Sequence, residues 1–156
     1  MSIRCEIVSQ DRMVFEGDAD IVIIPGEVGQ MGVLPNHAPL LSTLKYGILT
    51  VRSQGKEEHF TVAGGIVEVQ PEIITVLADA AENVYEIDLA RASAARKRAE
   101  EFLAKGLPPD TDSYMKMEAA LKRSNLRIEA ARRYGRGQPA MRISGIESGS
   151  EKRENE

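Results

Sequence analysis

The residues of this chain best suited to chemistry are arginines. Arg91 and Arg98 lie seven positions apart, so on a helix turning about 100° per residue they point the same way, two turns apart. Arg123 and Arg127, four apart, stack on one side of a later segment. Each guanidinium carries a fork of donors that matches phosphate, which the point charge of a lysine does not. Two such helices folded together would present four guanidinium groups to one polyanion. The same spacing also fits a solvated basic face pairing with Glu100, Glu101, Glu118 and Glu129, and spacing alone leaves both readings open. Just ahead, Ile87-Asp88-Leu89-Ala90-Arg91-Ala92 sets an acid before a helix and an arginine one turn in. That arrangement suits a helix cap, a ligand site, or both.

Other chemistries are poorly served. His37 and His59 have no Cys or His at ligand spacing, and His59 sits among polar residues of a strand, so both read as surface or turn residues and no metal is expected. Ser42, Ser53 and Ser93 lack the context of a nucleophile elbow, and no acid pair stands out. Gly26, Gly29 and Gly32 fall in the loop Pro25 to Pro39, where a phosphate loop could be sought. Pro35 and Pro39 forbid the helix that such a loop must open, and there is no Lys-Ser/Thr pair, so these read as turn glycines. A catalytic site, such as that of a nucleotide-hydrolysing enzyme, is not expected.

The elements that must position the arginines follow from a change of period. From Ile3 to Ala80, short β-type runs recur between turn signals, as in an all-β sandwich or barrel. They are Ile3 to Ser9, Met13 to Glu16, Asp20 to Ile24, Met31 to Leu34, Leu40 to Leu44, Gly47 to Ser53, Glu58 to Ala63, Gly65 to Val69 and Ile73 to Ala78. Ser53-Gln54-Gly55-Lys56 and Val69-Gln70-Pro71-Glu72 read as tight turns. Gly64-Gly65 reads as a bulge or a close backbone approach. Phe60 to Ala63 and Ile66 to Val69 alternate, predicting one dry and one wet face.

From Asp88 the pattern is helical, with Asp88 as N-cap and Ala92, Ala95, Ala99, Phe102 and Leu103 on one face. This helix should stop near Lys105, before Gly106 and Pro108-Pro109. A second, capped from Asp110 to Ser113, should run to about Tyr134 with Gly135 as its stop and Met117, Leu121, Ile128 and Ala131 as its apolar face. The expected fold class is therefore a β-sandwich N-terminal domain over residues 1–85, then an antiparallel α-helical hairpin over 86–135. Residues 136–156 show no sustained pattern and read as disordered.

Composition agrees with one core domain plus an appendage: 156 residues, 42% apolar and 28% charged. Only 4% aromatic residues and no Trp argue against stacking platforms for nucleic acid or carbohydrate. The lone Cys5, in an apolar run, can form no internal disulfide and points to a reducing compartment. No apolar run is long enough for a membrane span, and the first residues already alternate as a strand, so no signal peptide is expected. The net charge of −4 hides an asymmetry: residues 1–85 carry 5 basic and 12 acidic side chains, residues 86–135 carry 11 and 8. The helical half is the one that would attract anions.

Four motifs in register carry a resemblance. They are Gly32-Val33-Leu34-Pro35-Asn36-His37-Ala38-Pro39-Leu40, Ala63-Gly64-Gly65-Ile66-Val67-Glu68-Val69, Thr75-Val76-Leu77-Ala78 and the Ile87 to Ala92 stretch. Over residues 1–134 the chain resembles the epsilon subunit of the F-type ATP synthase. The resemblance implies a non-catalytic rotor subunit whose sandwich binds the gamma subunit and rests on the membrane-embedded c-ring. Its hairpin would restrain ATP hydrolysis at the alpha/beta hexamer. It further implies an ATP site on the folded hairpin, formed by Glu82, Ile87, Asp88, Arg91, Arg98, Arg123 and Arg127. Glu82, Asp88 and Ile87 would hold the adenosine end and the arginines the phosphates. ATP would be a regulatory ligand and no other cofactor is implied. The implied location is peripheral, on the cytoplasmic face of a bacterial plasma membrane, since no transit peptide is evident. The competing reading is a sandwich adaptor with a self-associating hairpin and no response to nucleotide.

Overall fold

A computed structural model of the chain describes residues 1–106 and 110–135. Ten strands form two five-stranded sheets. The first has the order β2 (Met13–Ala19), β1 (Ile3–Val8), β9 (Ile73–Ala78), β8 (Gly65–Val69), β5 (Leu40–Thr43). The second has the order β10 (Ala81–Asn83), β7 (Lys56–Ala63), β6 (Tyr46–Ser53), β3 (Ile21–Gly26), β4 (Gly29–Val33). All pairings are antiparallel except β1 with β9. The inward residues of both sheets close one apolar core. Ile3, Cys5, Ile7, Val67, Ile74 and Val76 from the first meet Val22, Ile24, Leu49, Val51, Phe60 and Val62 from the second. Phe15 and Phe60 touch across the sheets with ring centroids 5.4 Å apart.

The expected turns are present. Ser53 pairs with Lys56 across Gln54 (φ 51°) and Gly55 (φ 77°), the left-handed pair that a two-residue hairpin requires. Gly65 marks a close approach: at φ 122°, a Cβ there would lie 2.2 Å from the carbonyl oxygen of Leu77. The loop expected over residues 25–39 is largely a hairpin, because β3 and β4 extend through Gly26 and Gly29.

A 3-10 turn (Val84–Glu86) leads into α1 (Leu89–Ala104), and α2 (Thr111–Tyr134) returns antiparallel to it. Asp88 caps α1, its Oδ1 accepting from the backbone N–H of Arg91 at 3.1 Å. Asp110 caps α2, accepting from the N–H of Asp112 and the hydroxyl of Ser113. Gly106 (φ 93°) follows the end of α1 and Gly135 ends α2. The expectation for residues 136–156 lies outside the described residues, as does Pro108-Pro109.

Two expectations need correction. The alternation of Phe60 to Ala63 does not give a wet face: Glu58 to Ala63 are buried on both sides of the strand. The cause is α2, which lies across β7 and β6 and covers the outer side chains Thr50, His59 and Thr61. A half-polar strand thus reads as half-solvated in sequence yet is roofed in the fold. On α2, the buried residues are Ser124, Ile128 and Ala130, whereas Met117, Leu121 and Ala131 are only half-buried. The helix is turned so that Ile128 of the expected face stays buried while the small Ser124 and Ala130 beside it allow a close approach.

Candidate functional site

The site lies where the edge of the second sheet meets both helices. A cavity of about 310 Å³ opens there, floored by Thr61, Ala63, Ala80 and Ala81 and walled by Glu82, Ala95, Ala120, Arg123, Ser124 and Arg127. That is at the low end of the roughly 300–1,000 Å³ typical of small-molecule sites. Glu82 reaches it from β10, a three-residue edge strand paired with Phe60, Thr61 and Val62. From α2, Ala120, Arg123, Ser124 and Arg127 arrive at steps of three, one and three, the signature of one helix face.

Glu82 and Arg127 form a forked pair. Arg127 Nη2 donates to both carboxylate oxygens, at 2.9 and 3.1 Å, and Nε donates to Oε1 at 3.3 Å. Their side chains are 22% and 36% exposed, so the pair is partly shielded from solvent. Arg127 is therefore not a free member of a solvated basic face. The adjoining Ala130 is fully buried against the fold.

The other arginines stand differently. Arg123 lines the cavity, and its guanidinium has no hydrogen-bond or ion-pair partner among the described residues; the same holds for Arg91 and Arg98. Arg91 and Arg98 do not line the cavity, but they share a face of α1 with Ala95, which does: helical spacing places all three within about 60°. Of the glutamates expected to pair with a solvated basic face, Glu100 meets Arg96 and Glu129 meets Arg133, each at 3.8 Å. Asp88 spends one oxygen on the helix cap, and its carboxylate has no second partner among the described residues. Ile87 is half-buried and closes the 3-10 turn with its backbone N–H on Val84 O.

The structure thus brings Glu82, Arg123 and Arg127 together at one cavity and joins Asp88 to Arg91 through the cap, with Arg98 on the adjoining face. Thr61, Ala95, Ala120 and Ser124 were not placed at a site from sequence; Thr61 and Ala95 read only as strand and helix-face residues. For Ser124 a signal existed: it falls between Arg123 and Arg127 on the face set by Ala120. Its hydroxyl donates back to Ala120 O at 2.8 Å, which satisfies it inside the wall. Nearby, Arg12 Nη2 donates to Glu86 Oε2 at 2.7 Å, tying the β1–β2 turn to the start of the hairpin. That bond raises the pKa of Arg12 further.

His59 also departs from its expected surface role. It is buried, its Nδ1 lies 2.9 Å from Thr50 Oγ1, and its ring stacks on Tyr134 with centroids 3.7 Å apart. Burial lowers its pKa. His37 is half-buried, with Nδ1 2.7 Å from Ala38 O beside a turn. Cys5 is a free, buried thiol whose pKa is pushed up to about 12 by desolvation and by Glu6. Taken together, the cavity region offers cations and one paired carboxylate, a charge balance suited to an anion. Among the described residues no group of His, Cys, Asp or Glu is placed to hold a metal ion.

Comparison with known proteins accounts for both halves of the fold. Residues 2–84 match the family described as ATP synthase, Delta/Epsilon chain, beta-sandwich domain, and residues 86–132 match its long alpha-helix domain. The ATP synthase epsilon chain of Pelotomaculum thermopropionicum is 52% identical over 102 residues, spanning 65% of this chain and 76% of that one. That of Dehalococcoides mccartyi is 40% identical over 129 residues, 83% of this chain and 91% of its own. Among solved structures, a chain of the Euglena gracilis mitochondrial ATP synthase, in an OSCP/F1/c-ring assembly, superposes with a TM-score of 0.68 at 27% identity. It covers 83% of this chain and 81% of its own. With the sandwich, the hairpin and these matches in agreement, the chain belongs to the delta/epsilon family of F-type ATP synthase subunits, among the epsilon chains.

Proposed function

We propose that this chain is the non-catalytic central-stalk subunit through which an F-type ATP synthase couples proton flow to ATP synthesis, and that its hairpin restrains ATP hydrolysis by sensing ATP. Family membership supports the place in the stalk. Residues 1–85 would bind the gamma subunit and rest on the c-ring, and residues 86–135 would regulate. In support, Leu41, Ile66 and Leu77 are exposed and share the outward face of the first sheet, opposite the sheet that carries α2. Val28, at the tip of the β3–β4 hairpin, and Leu34 are exposed as well. Apolar surface of this kind marks a docking face. No helix among the described residues is long and apolar enough to cross a membrane; in this reading the chain meets the membrane through the complex.

The observation that carries ATP sensing is the forked Glu82–Arg127 pair at a cavity that Arg123 also lines, with Arg91 and Arg98 on the α1 face that Ala95 brings to it; the last three guanidinium groups are unpartnered among the described residues. Unpaired like charges held near one another repel, and a polyphosphate relieves that repulsion. ATP would bind across α1, α2 and the sandwich edge, with Glu82, Ile87 and Asp88 toward the adenosine end. Such a ligand favours the folded hairpin, by about 2.7 kcal/mol at 100 times its dissociation constant. With ATP scarce, the hairpin would extend toward the alpha/beta hexamer. Limited proteolysis of the full chain tests this: millimolar ATP should protect the hairpin. The adaptor reading expects no nucleotide effect and a concentration-dependent oligomer instead.

A further inference from the structure

A second contact between hairpin and sandwich lies away from the cavity, at the C-terminal end of α2. Tyr134, the last helical residue, lays its ring on the imidazole of His59 at 3.7 Å and 16° from parallel. His59 belongs to β7 and is 9% exposed. Several charged groups surround it. On its own strand are Glu57, with Oε2 3.5 Å from His59 Nε2, and Lys56; β6 brings Arg52; α2 brings Glu129 and Arg133. Tyr85 of the 3-10 turn completes the rim.

These charges act on the imidazole in both senses, so burial under Tyr134 and α2 decides against the proton. Glu57 is the nearest counter-charge, but Arg52 already holds its Oε1 through Nε at 2.9 Å and Nη2 at 2.6 Å. Arg133 adds a like charge from the helix. Thr50 is indifferent, since its hydroxyl can donate to a bare Nδ1 or accept from a protonated one. We propose that the stack of Tyr134 on His59 is a pH-sensitive latch, holding the end of α2 on the sandwich while the imidazole is neutral and releasing it when the imidazole is protonated.

The sign follows from the direction of the shift. Burial lowers the pKa of His59, Glu57 opposes that, and Arg133 reinforces it. A depressed value in the docked state means that docking favours the neutral ring. The contribution is complete above the ordinary imidazole value of about 6.5 and is lost as pH falls below it through the docked value. The latch needs no nucleotide, so it stands or falls apart from ATP sensing.

The test uses the full chain without nucleotide between pH 8 and 5.5, above the ordinary carboxylate range. Hydrogen exchange of the last turn of α2, corrected for intrinsic rates, should show protection falling on acidification. His59→Phe keeps a ring for Tyr134 but binds no proton, and should abolish that pH dependence. Tyr134→Ala, at a helix end where folding is not at stake, should move the NMR titration midpoint of His59 up toward the ordinary imidazole value. A pH dependence that persists in His59→Phe would overturn the latch. So would a His59 midpoint that is the same with and without the Tyr134 ring.

Discussion

Glu82 and Arg127, separated by 45 positions in sequence, form the forked ion pair that fastens α2 to the sandwich edge. Strand β10 exists to present one partner and the small-residue face of α2 the other. Glu82→Gln keeps the shape and removes the charge. Because both side chains are partly exposed, the loss in docking should be modest, about 0.5–1 kcal/mol, and smaller at high salt. Hydrogen exchange across α2 at low and high ionic strength measures it.

Calorimetry addresses the anion site directly. Arg91→Ala or Arg127→Ala should each weaken ATP binding by about 1–3 kcal/mol, the range for charge-assisted bonds to phosphate. Comparing Arg127→Ala with Glu82→Gln separates loss of a phosphate contact from loss of the ion pair. Unchanged ATP affinity in both arginine variants would exclude the site.

Asp88 has two duties that substitution can divide. Asp88→Asn keeps a good capping oxygen and should leave α1 within a few tenths of a kcal/mol of its stability, while Asp88→Ala should cost about 1 kcal/mol. If the carboxylate also contacts ligand, Asp88→Asn should still lower ATP affinity. Thermal melts and titrations on both variants give the answer.

Removal of everything after Glu86 retains all ten strands and the 3-10 turn. The remaining sandwich should fold, still bind gamma, and no longer restrain ATP hydrolysis by the reconstituted enzyme. Inhibition that survived the truncation would assign regulation to the sandwich.

Gly65→Ala places a methyl group 2.2 Å from Leu77 O at a left-handed φ. Relief requires β8 and β9 to separate, at a cost of several kcal/mol. The variant should melt well below the parent, while Gly55→Ala, with open space around it but φ 77°, should lose only about 1 kcal/mol.

Much of this was legible in local sequence, because caps, turns and periods are local. Asp88, Asp110, Gly55, Gly65 and Gly106 each announce a backbone event that the fold contains. Strand β10 was not legible: Ala81-Glu82-Asn83 is short and lacks β-branched residues, and only its pairing with β7 makes it a strand. The burial of His59 was hidden for a related reason. A polar residue on an alternating strand signals solvent unless something distant covers it, and the covering helix lies more than 50 residues away. At the site, spacing found Arg123 and Arg127 but could not tell that one is paired and the other free of partners, since that distinction depends on Glu82 at the sheet edge.

The surface of β6 and β7 beneath α2 has a consequence for reversibility. Its buried side chains there are Thr50, His59, Thr61 and the small Ala63 rather than leucines and valines. Water can replace the helix over such a face, hydrogen-bonding to hydroxyl and imidazole alike, so undocking would leave behind a wettable sheet and little that adheres to another protein. A greasier underside would grip the helix harder and, once bared, would aggregate.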